Sequence, residues 1–234
     1  MKKSNLGLLC LVAAYGGNAF ALNLDFNPYI GVDAQYNHMR FENDDGARFK
    51  QWTPQANGYL GLNINKSFAV EVGYEHSERT RNNIVLSEGE RFLGNTVGAV
   101  GGGDPFTDGD KHLLELKSRA VHINFVGFYP IRTKLDLIGS AGISWVNLTG
   151  YDTLLTPGND SIIKMYNQTK GILELGGGLK YMLNSNFGMK AMVSWQNRSR
   201  LEPLSGSSGV ATISARIKNS FKTGVGVVFY PVIL

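Results

Sequence analysis

The stretch from Ser220 to Tyr230 alternates strictly between two kinds of residue. Phe221, Thr223, Val225, Val227 and Phe229 form one row, and Ser220, Lys222, Gly224, Gly226 and Val228 form the other. A period of two marks a β-strand, because successive side chains point to opposite faces. In a soluble sandwich the apolar row would cover a packed core. Two glycines, a serine and a lysine opposite it cannot fill one, so the apolar row is expected to face lipid. The spacing agrees. Phe221 and Phe229 stand eight residues apart on one face. That is about 26 Å along a strand at roughly 3.3 Å per residue. A tilt of about 40° leaves roughly 20 Å of membrane normal, close to the apolar band of about 25 Å with its aromatic girdles.

The N-terminus reads as a secretory leader. Lys2 and Lys3 supply the positive start, Leu6 to Ala14 the apolar run and Ala19-Phe20-Ala21 a small-x-small cleavage site. Residues 1–21 are thus expected to be removed, leaving 22–234 as one barrel domain. The apolar run is too short to span a bilayer as a helix, and no later window is apolar enough to do so. Cys10, the single cysteine, lies in the leader. Leu9 before it, where lipidation needs a small residue, argues against a lipid anchor, and the mature chain has no thiol for disulfides or metal. Without Lys2 and Lys3, 21 basic residues of 23 remain against 19 acidic ones. That balance is too weak to favour nucleic acid. The 29 glycines and 11% aromatic content suit a barrel, since glycine lets strands coil and aromatics mark interfaces.

Period-two segments recur along the chain. Strands are expected at about Tyr29–Asn37, Ala56–Ile64, Phe68–Ser77, Leu116–Tyr129, Leu135–Leu148, Lys170–Leu183, Phe187–Gln196 and Ser220–Tyr230. Asn65-Lys66-Ser67, Pro130 to Lys134 and Asn184-Ser185-Asn186 read as short turns. Arg40–Trp52, Glu78–Leu114, Gly150–Thr169 and Asn197–Asn219 read as long polar connections, with strand-like ends at Asn83–Leu86 and Leu113–Lys117. Long and short connections therefore alternate, as in transmembrane barrels with long external loops and short periplasmic turns. Even strand number and closure follow, because lipid tolerates no unpaired sheet edge. The outward rows place Phe68, Tyr74, Trp145, Tyr181, Phe187, Trp195, Phe221 and Phe229 as a lipid-facing girdle.

The terminal strand looks like the insertion signal of bacterial outer-membrane barrels: polar Lys222, then Gly224, then Val227 and Phe229. Such chains usually end on the aromatic, whereas this one continues through Tyr230 to Leu234. The whole mature chain resembles the eight-stranded outer-membrane barrels of the outer-membrane protein A and opacity-protein type. The resemblance implies an all-β, antiparallel up-and-down barrel in a bacterial outer membrane, monomeric and inserted by the barrel-assembly machinery. Its implied partners are membrane lipid and lipopolysaccharide. No peptidoglycan-binding segment is expected after the barrel, so that tethering role is not carried over.

A barrel of eight strands has an interior just wide enough for side chains to fill. The inward rows hold Asp33, Glu71, Glu75, Asp136 and Glu174 with Lys180, Lys190 and Lys222. Buried singly these charges would each cost several kcal/mol, so they are expected to pair across the lumen. The pairs form either a plug or, by rearrangement, a gate on a narrow ion path. Some barrels of this size are lipid A deacylases that resemble serine hydrolases with a His-x-Ser pair. Here His122 is followed by Asn124, which is no nucleophile, and His76-Ser77 point to opposite faces. Asp104, Asp108 and Asp110 lack the ligand spacing of an EF-hand, and Gly101–Gly103 lacks the Lys-Ser/Thr of a phosphate loop. No metal or cofactor is expected. Arg79, Arg81, Arg91, Arg198, Arg200, Arg216 and Lys218 are basic loop residues that could meet lipopolysaccharide phosphates or acidic host glycans, or simply be solvated.

The expected function is structural and surface-interactive: envelope integrity, with loops available for adhesion or contact with a host surface ligand. The alternatives are a narrow ion or small-solute channel, a conduit for hydrophobic solutes, a lipid A-modifying enzyme, and a soluble ligand-carrying barrel.

Overall fold

A computed structural model describes residues 26–43, 48–89, 91–92, 95–96, 108–155, 161–197, 199–201, 215–217 and 219–231. The leader read at residues 1–21 lies outside these residues, as do Asp104 and the glycine run 101–103. Eight long strands make the wall: β1 (Asn27–Asn43), β2 (Arg48–Asn63), β3 (Phe68–Ser77), β4 (Lys111–Arg132), β5 (Leu135–Leu154), β6 (Ser161–Met182), β7 (Phe187–Gln196) and β8 (Ser220–Phe229). Each pairs antiparallel with the next. The ring closes where β8 returns to β1, in register from Ile30↔Phe229 to His38↔Phe221. Closure removes the unpaired edge that hydrocarbon would leave unsatisfied.

Side-chain polarity is inverted relative to a soluble barrel. Leu60 and Val225 are each 63% exposed on the outer wall, whereas Lys222 is 3% exposed inside. The outer rows of all eight strands read as expected from alternation, with Ile30, Val32, Val72, Ile123, Phe125, Leu175 and Val193 among them. The expected girdle aromatics all lie on the outer wall, Trp195 less exposed than the others. Phe187 and Phe229 meet on adjacent strands at the turn end, with ring centroids 4.9 Å apart.

Two turns share one device. Asn65 Oδ1 accepts from the backbone N–H of Ser67 and Phe68, at 2.8 and 2.9 Å. Asn184 Oδ1 accepts from Asn186 and Phe187 in the same way, at 2.9 and 2.8 Å. An asparagine that mimics the backbone in a tight turn is the reason these tripeptides punctuate the sequence. The five-residue turn expected at Pro130–Lys134 is shorter, because pairing continues to Arg132 and only Thr133 and Lys134 turn.

The strands are longer than the alternation indicated, at their loop ends. Gly150–Leu154 and Ser161–Thr169, expected in a loop, are strand in β5 and β6, Gly150–Leu154 pairing within Ser161–Tyr166. Thr80–Val85 continues the wall beyond β3 and pairs with Lys111–Leu116, an extension of which only the ends had been read. Part of Arg40–Trp52 is likewise strand, with pairing up to Glu42↔Arg48. Ser199–Leu201 and Ala215–Ile217 pair in the last expected loop. The cause is physical. Above the membrane the outer face meets water, so it need not be apolar, and the period-two signal fades while backbone pairing persists.

An arginine placed at mid-wall should expose the polarity directly. Val225→Arg is expected to lower the stability of the lipid-inserted barrel by about 2–4 kcal/mol. Urea titration of folding into phosphatidylcholine vesicles measures it, and an unchanged midpoint would refute a lipid-facing wall.

Candidate functional site in the barrel lumen

Interior room comes from glycine. A Cβ on Gly226 would strike the Asp33 carboxylate, and one on Gly224 would lie 2.8 Å from Gln35 Cγ. The missing side chains on β8 therefore let β1 send two polar side chains across it. Gly73 does the same for the His122 ring, and Gly31 and Gly61 receive the rings of Tyr59 and Tyr29.

The charges form three tiers, ordered by distance from the periplasmic turns. The lowest holds Lys180, whose Nζ lies 2.9 Å from Asp136 Oδ2. That ammonium sits 4.1 Å from the Phe128 ring centroid and 3.5 Å from Tyr230 Oη. Beside it Tyr29, Tyr59 and Tyr230 pack with Ala69, Val126, Ile138 and Val228 as an apolar stopper. Tyr29 and Tyr230 rings are 5.1 Å apart, and Tyr29 meets Tyr59 edge-on. The Tyr29 hydroxyl donates to Glu71 Oε1 at 2.9 Å, tying the stopper to the next tier.

In the middle tier Lys190 serves two carboxylates, Glu71 at 3.4 Å and Asp33 at 3.7 Å. Its ammonium also lies 3.9 Å from the Tyr59 ring centroid. The upper tier is tighter. Lys222 Nζ is 2.6 Å from Glu75 Oε1 and 2.7 Å from Glu174 Oε2. Ser144 and Gln196 both donate to Glu174, at 3.2 and 3.3 Å. His122 Nδ1 lies 3.6 Å from Glu75. Charge-assisted contacts of this length, with added hydrogen-bond donors, are what a buried ion pair needs to offset desolvation.

The structure thus brings together all eight charged residues read from the inward rows. Asp136 stands apart from the rest in being partly exposed, at the rim. Alternation places each residue inside, but the partners depend on barrel shear, which no single strand reveals. The tyrosine stopper was missed as a unit, although alternation already put Tyr29 and Tyr59 inward. Tyr230, beyond the expected terminal aromatic, continues the inward row of Lys222 and Val228 and is buried. Its N–H donates to Asn186 O at 2.8 Å, and Asn186 Nδ2 donates to Tyr230 O at 2.8 Å. Of the four residues read as an insertion signal, Lys222 is the upper-tier cation and Gly224 the floor beneath Gln35, while Val227 and Phe229 face out.

Ser144, directly across from His122 on β5, is a serine that sequence spacing did not pick out. Its hydroxyl is committed to Glu174, and both residues are fully enclosed. Of the acidic loop residues, Asp108 Oδ1 accepts from the Glu88 N–H at 3.1 Å. Of the basic ones, Arg79 and Arg81 both grip Glu115, at 3.1 and 2.8 Å, and Arg79 lies 5.3 Å from the Tyr151 ring centroid. Side chains of Arg91, Arg198, Arg200, Arg216 and Lys218 lie outside the described residues.

A closed antiparallel wall, apolar outside and ion-paired within, defines a transmembrane β-barrel of the bacterial outer membrane. The chain belongs to the family described as outer membrane protein beta-barrel domain, whose model matches residues 7–229. Among solved structures it is similar to the outer membrane protein OprG of Pseudomonas aeruginosa, with 11% identity over 88% of this chain and 97% of that one, TM-score 0.51. It is similar also to outer membrane protein AlkL, with 10% identity over 92% and 96%, TM-score 0.50. Neisserial surface protein A gives 14% identity over 87% and 97%, TM-score 0.47. These likenesses are of fold. Among curated proteins no match is found.

Removing one upper-tier partner should cost more than removing the tier. Lys222→Met strands two buried carboxylates and is expected to destabilise by about 3–5 kcal/mol. Adding Glu75→Gln and Glu174→Gln to it should restore most of the loss. Urea midpoints of the two variants check this, and equal values would show that the three groups do not act as a unit.

Proposed function

We propose that this protein is a sealed outer-membrane barrel that holds a paired-strand wall above the membrane for contact with surface molecules. The observation that carries the reading is the filled lumen. Three tiers of ion pairs and the tyrosine stopper occupy the lumen from the periplasmic turns to the level of Lys222. Two cavities among these groups are about 20 and 10 Å³, near the size of single waters. Among the described residues these tiers leave a bulky solute no room to pass.

The strand lengths support the second half of the reading. Trp145 pairs with Val121 and Gly171, which sets one level across β4, β5 and β6. Beyond that level β4 continues to Lys111, β5 to Leu154 and β6 to Ser161. Some ten residues at roughly 3.3 Å, tilted, raise this part of the wall by about 25 Å. Arg79 and Arg81, both more exposed than the Glu115 they share, leave one positive charge in excess within that trio. Phosphate groups of lipopolysaccharide or acidic host glycans are the complementary partners. The enclosed positions of His122 and Ser144 support a non-enzymatic role.

The second reading, a narrow ion path gated by rearranged pairs, is favoured by one feature: the cavities lie on either side of Lys222, one reaching Asp33 and the other Glu75. Planar-bilayer recording separates the two. The sealed barrel should give no steady conductance, whereas a steady current abolished by changing Glu71 or Lys222 would establish transport instead. For the surface role, Arg79→Ala with Arg81→Ala should weaken retention on immobilised lipopolysaccharide several-fold at low salt, with a smaller effect where salt screens the charges. Unchanged retention would remove the two arginines from the reading.

A further inference from the structure

Three successive cross-strand pairs line the inward face of β1 and β2: Asp33↔Asn57, Gln35↔Gln55 and Asn37↔Thr53. Every one of these six residues carries a buried oxygen without a hydrogen-bond partner: Asp33 Oδ1, Asn57 Oδ1, Gln35 Oε1, Gln55 Oε1, Asn37 Oδ1 and Thr53 Oγ1. Leaving a desolvated polar atom unpaired is costly, and such atoms are usually few. Here they are stacked in one column, two strands wide and three pairs tall.

The amide orientations follow from their partners. Asn57 must turn its Nδ2 to Asp33 Oδ2, at 3.2 Å, which leaves its oxygen free. Gln196 must turn its Nε2 to the Glu174 carboxylate, so its Oε1 accepts from Asn37 Nδ2, at 3.3 Å. Gln55 is fixed through a serine pair. Ser77 Oγ donates to Ser118 O, and Ser118 Oγ donates to Ser77 Oγ, so Ser118 Oγ accepts from Gln55 Nε2 at 3.0 Å. Three of the four amides therefore present acceptors, not donors, to the lumen.

Charge points the same way. Among the described residues, the cations that the carboxylates of Asp33, Glu71, Glu75 and Glu174 meet in the two upper tiers are the ammonium groups of Lys190 and Lys222, with His122 beside Glu75. Each lysine is shared by two anions, and the longer contacts belong to Asp33 and Glu71, next to the foot of the column. One cavity adjoins Asp33 and Gln35, and the other Asn37 and Gln55.

We propose that this oxygen column binds an alkali-metal cation inside the barrel. The ligand chemistry selects a monovalent ion. Only one of the six oxygens belongs to a carboxylate, whereas calcium sites gather several, and neutral carbonyl dipoles can replace the hydration shell of sodium or potassium. The cation neutralises the excess charge of the Asp33–Glu71 tier and supplies a missing partner for the oxygens at the Asp33–Asn57 foot of the column. The site does not depend on whether the lumen conducts.

The test uses the full barrel refolded in detergent. Its thermal midpoint is compared in sodium, potassium and N-methylglucamine chloride at equal ionic strength, and crystals are soaked in thallous salt for anomalous scattering. A bound cation should raise the midpoint by about 2–4 °C in sodium or potassium over N-methylglucamine, increasingly with concentration. It should also give a thallium peak against Asp33 and Asn57. Gln35→Met, which removes no charge, should shrink the difference. Equal midpoints in all three salts, with water alone on the column, would overturn the proposal, and so would a thallium peak placed elsewhere. The wild-type comparison decides even where a variant fails to fold.

Discussion

Hydrocarbon offers the backbone no hydrogen-bond partner, and the rest of this molecule follows from that. The seam between β1 and β8 must close, in register from Ile30↔Phe229 to His38↔Phe221. Once the ring is closed, every residue is either outside or inside. The outside row must be apolar because it is wetted by lipid. The inside row takes what remains, and at eight strands that interior has no room for bulk water to solvate charges. Lys180, Lys190 and Lys222 therefore each end against at least one carboxylate.

Lumen width is regulated by glycine as much as by strand number. Where β8 carries Gly224 and Gly226, β1 fills the space with Gln35 and Asp33. Where β3 carries Gly73, β4 fills it with His122. Large and absent side chains thus alternate between neighbouring strands, and the interior packs without pushing the wall apart. The same rule builds the stopper, since Tyr29 lies over Gly61 and Tyr59 over Gly31. A glycine in this wall is best understood through the neighbour that covers it.

What could be read in the sequence, and what could not, divides along physical lines. Inward and outward rows were legible because alternation is local: Lys222 inside and Val225 outside follow from one strand. Strand β7, Phe187–Gln196, was legible to the residue because it is bounded by an Asn turn and ends one residue past its girdle tryptophan. The loop ends of β5 and β6 were not, because Thr153 and Ile162 pair where no lipid enforces alternation. Partners inside the lumen were not legible either. Lys222 reaches Glu75 across a register set by seven other strands. Tyr230 falls on the inward row by the same alternation, but the hold of Asn186 on its carbonyl was not legible.

The described wall does not stop at the edge of the lipid. Strands β4, β5 and β6 run on to Lys111, Leu154 and Ser161, and across the barrel Ser199–Leu201 pairs with Ala215–Ile217, which pairs in turn with Phe41–Asn43 of β1. Hydrogen-bonded sheet therefore stands as a collar on both sides. A particle approaching from the medium meets that collar first, so the shape it encounters is imposed by backbone geometry before any side chain is touched.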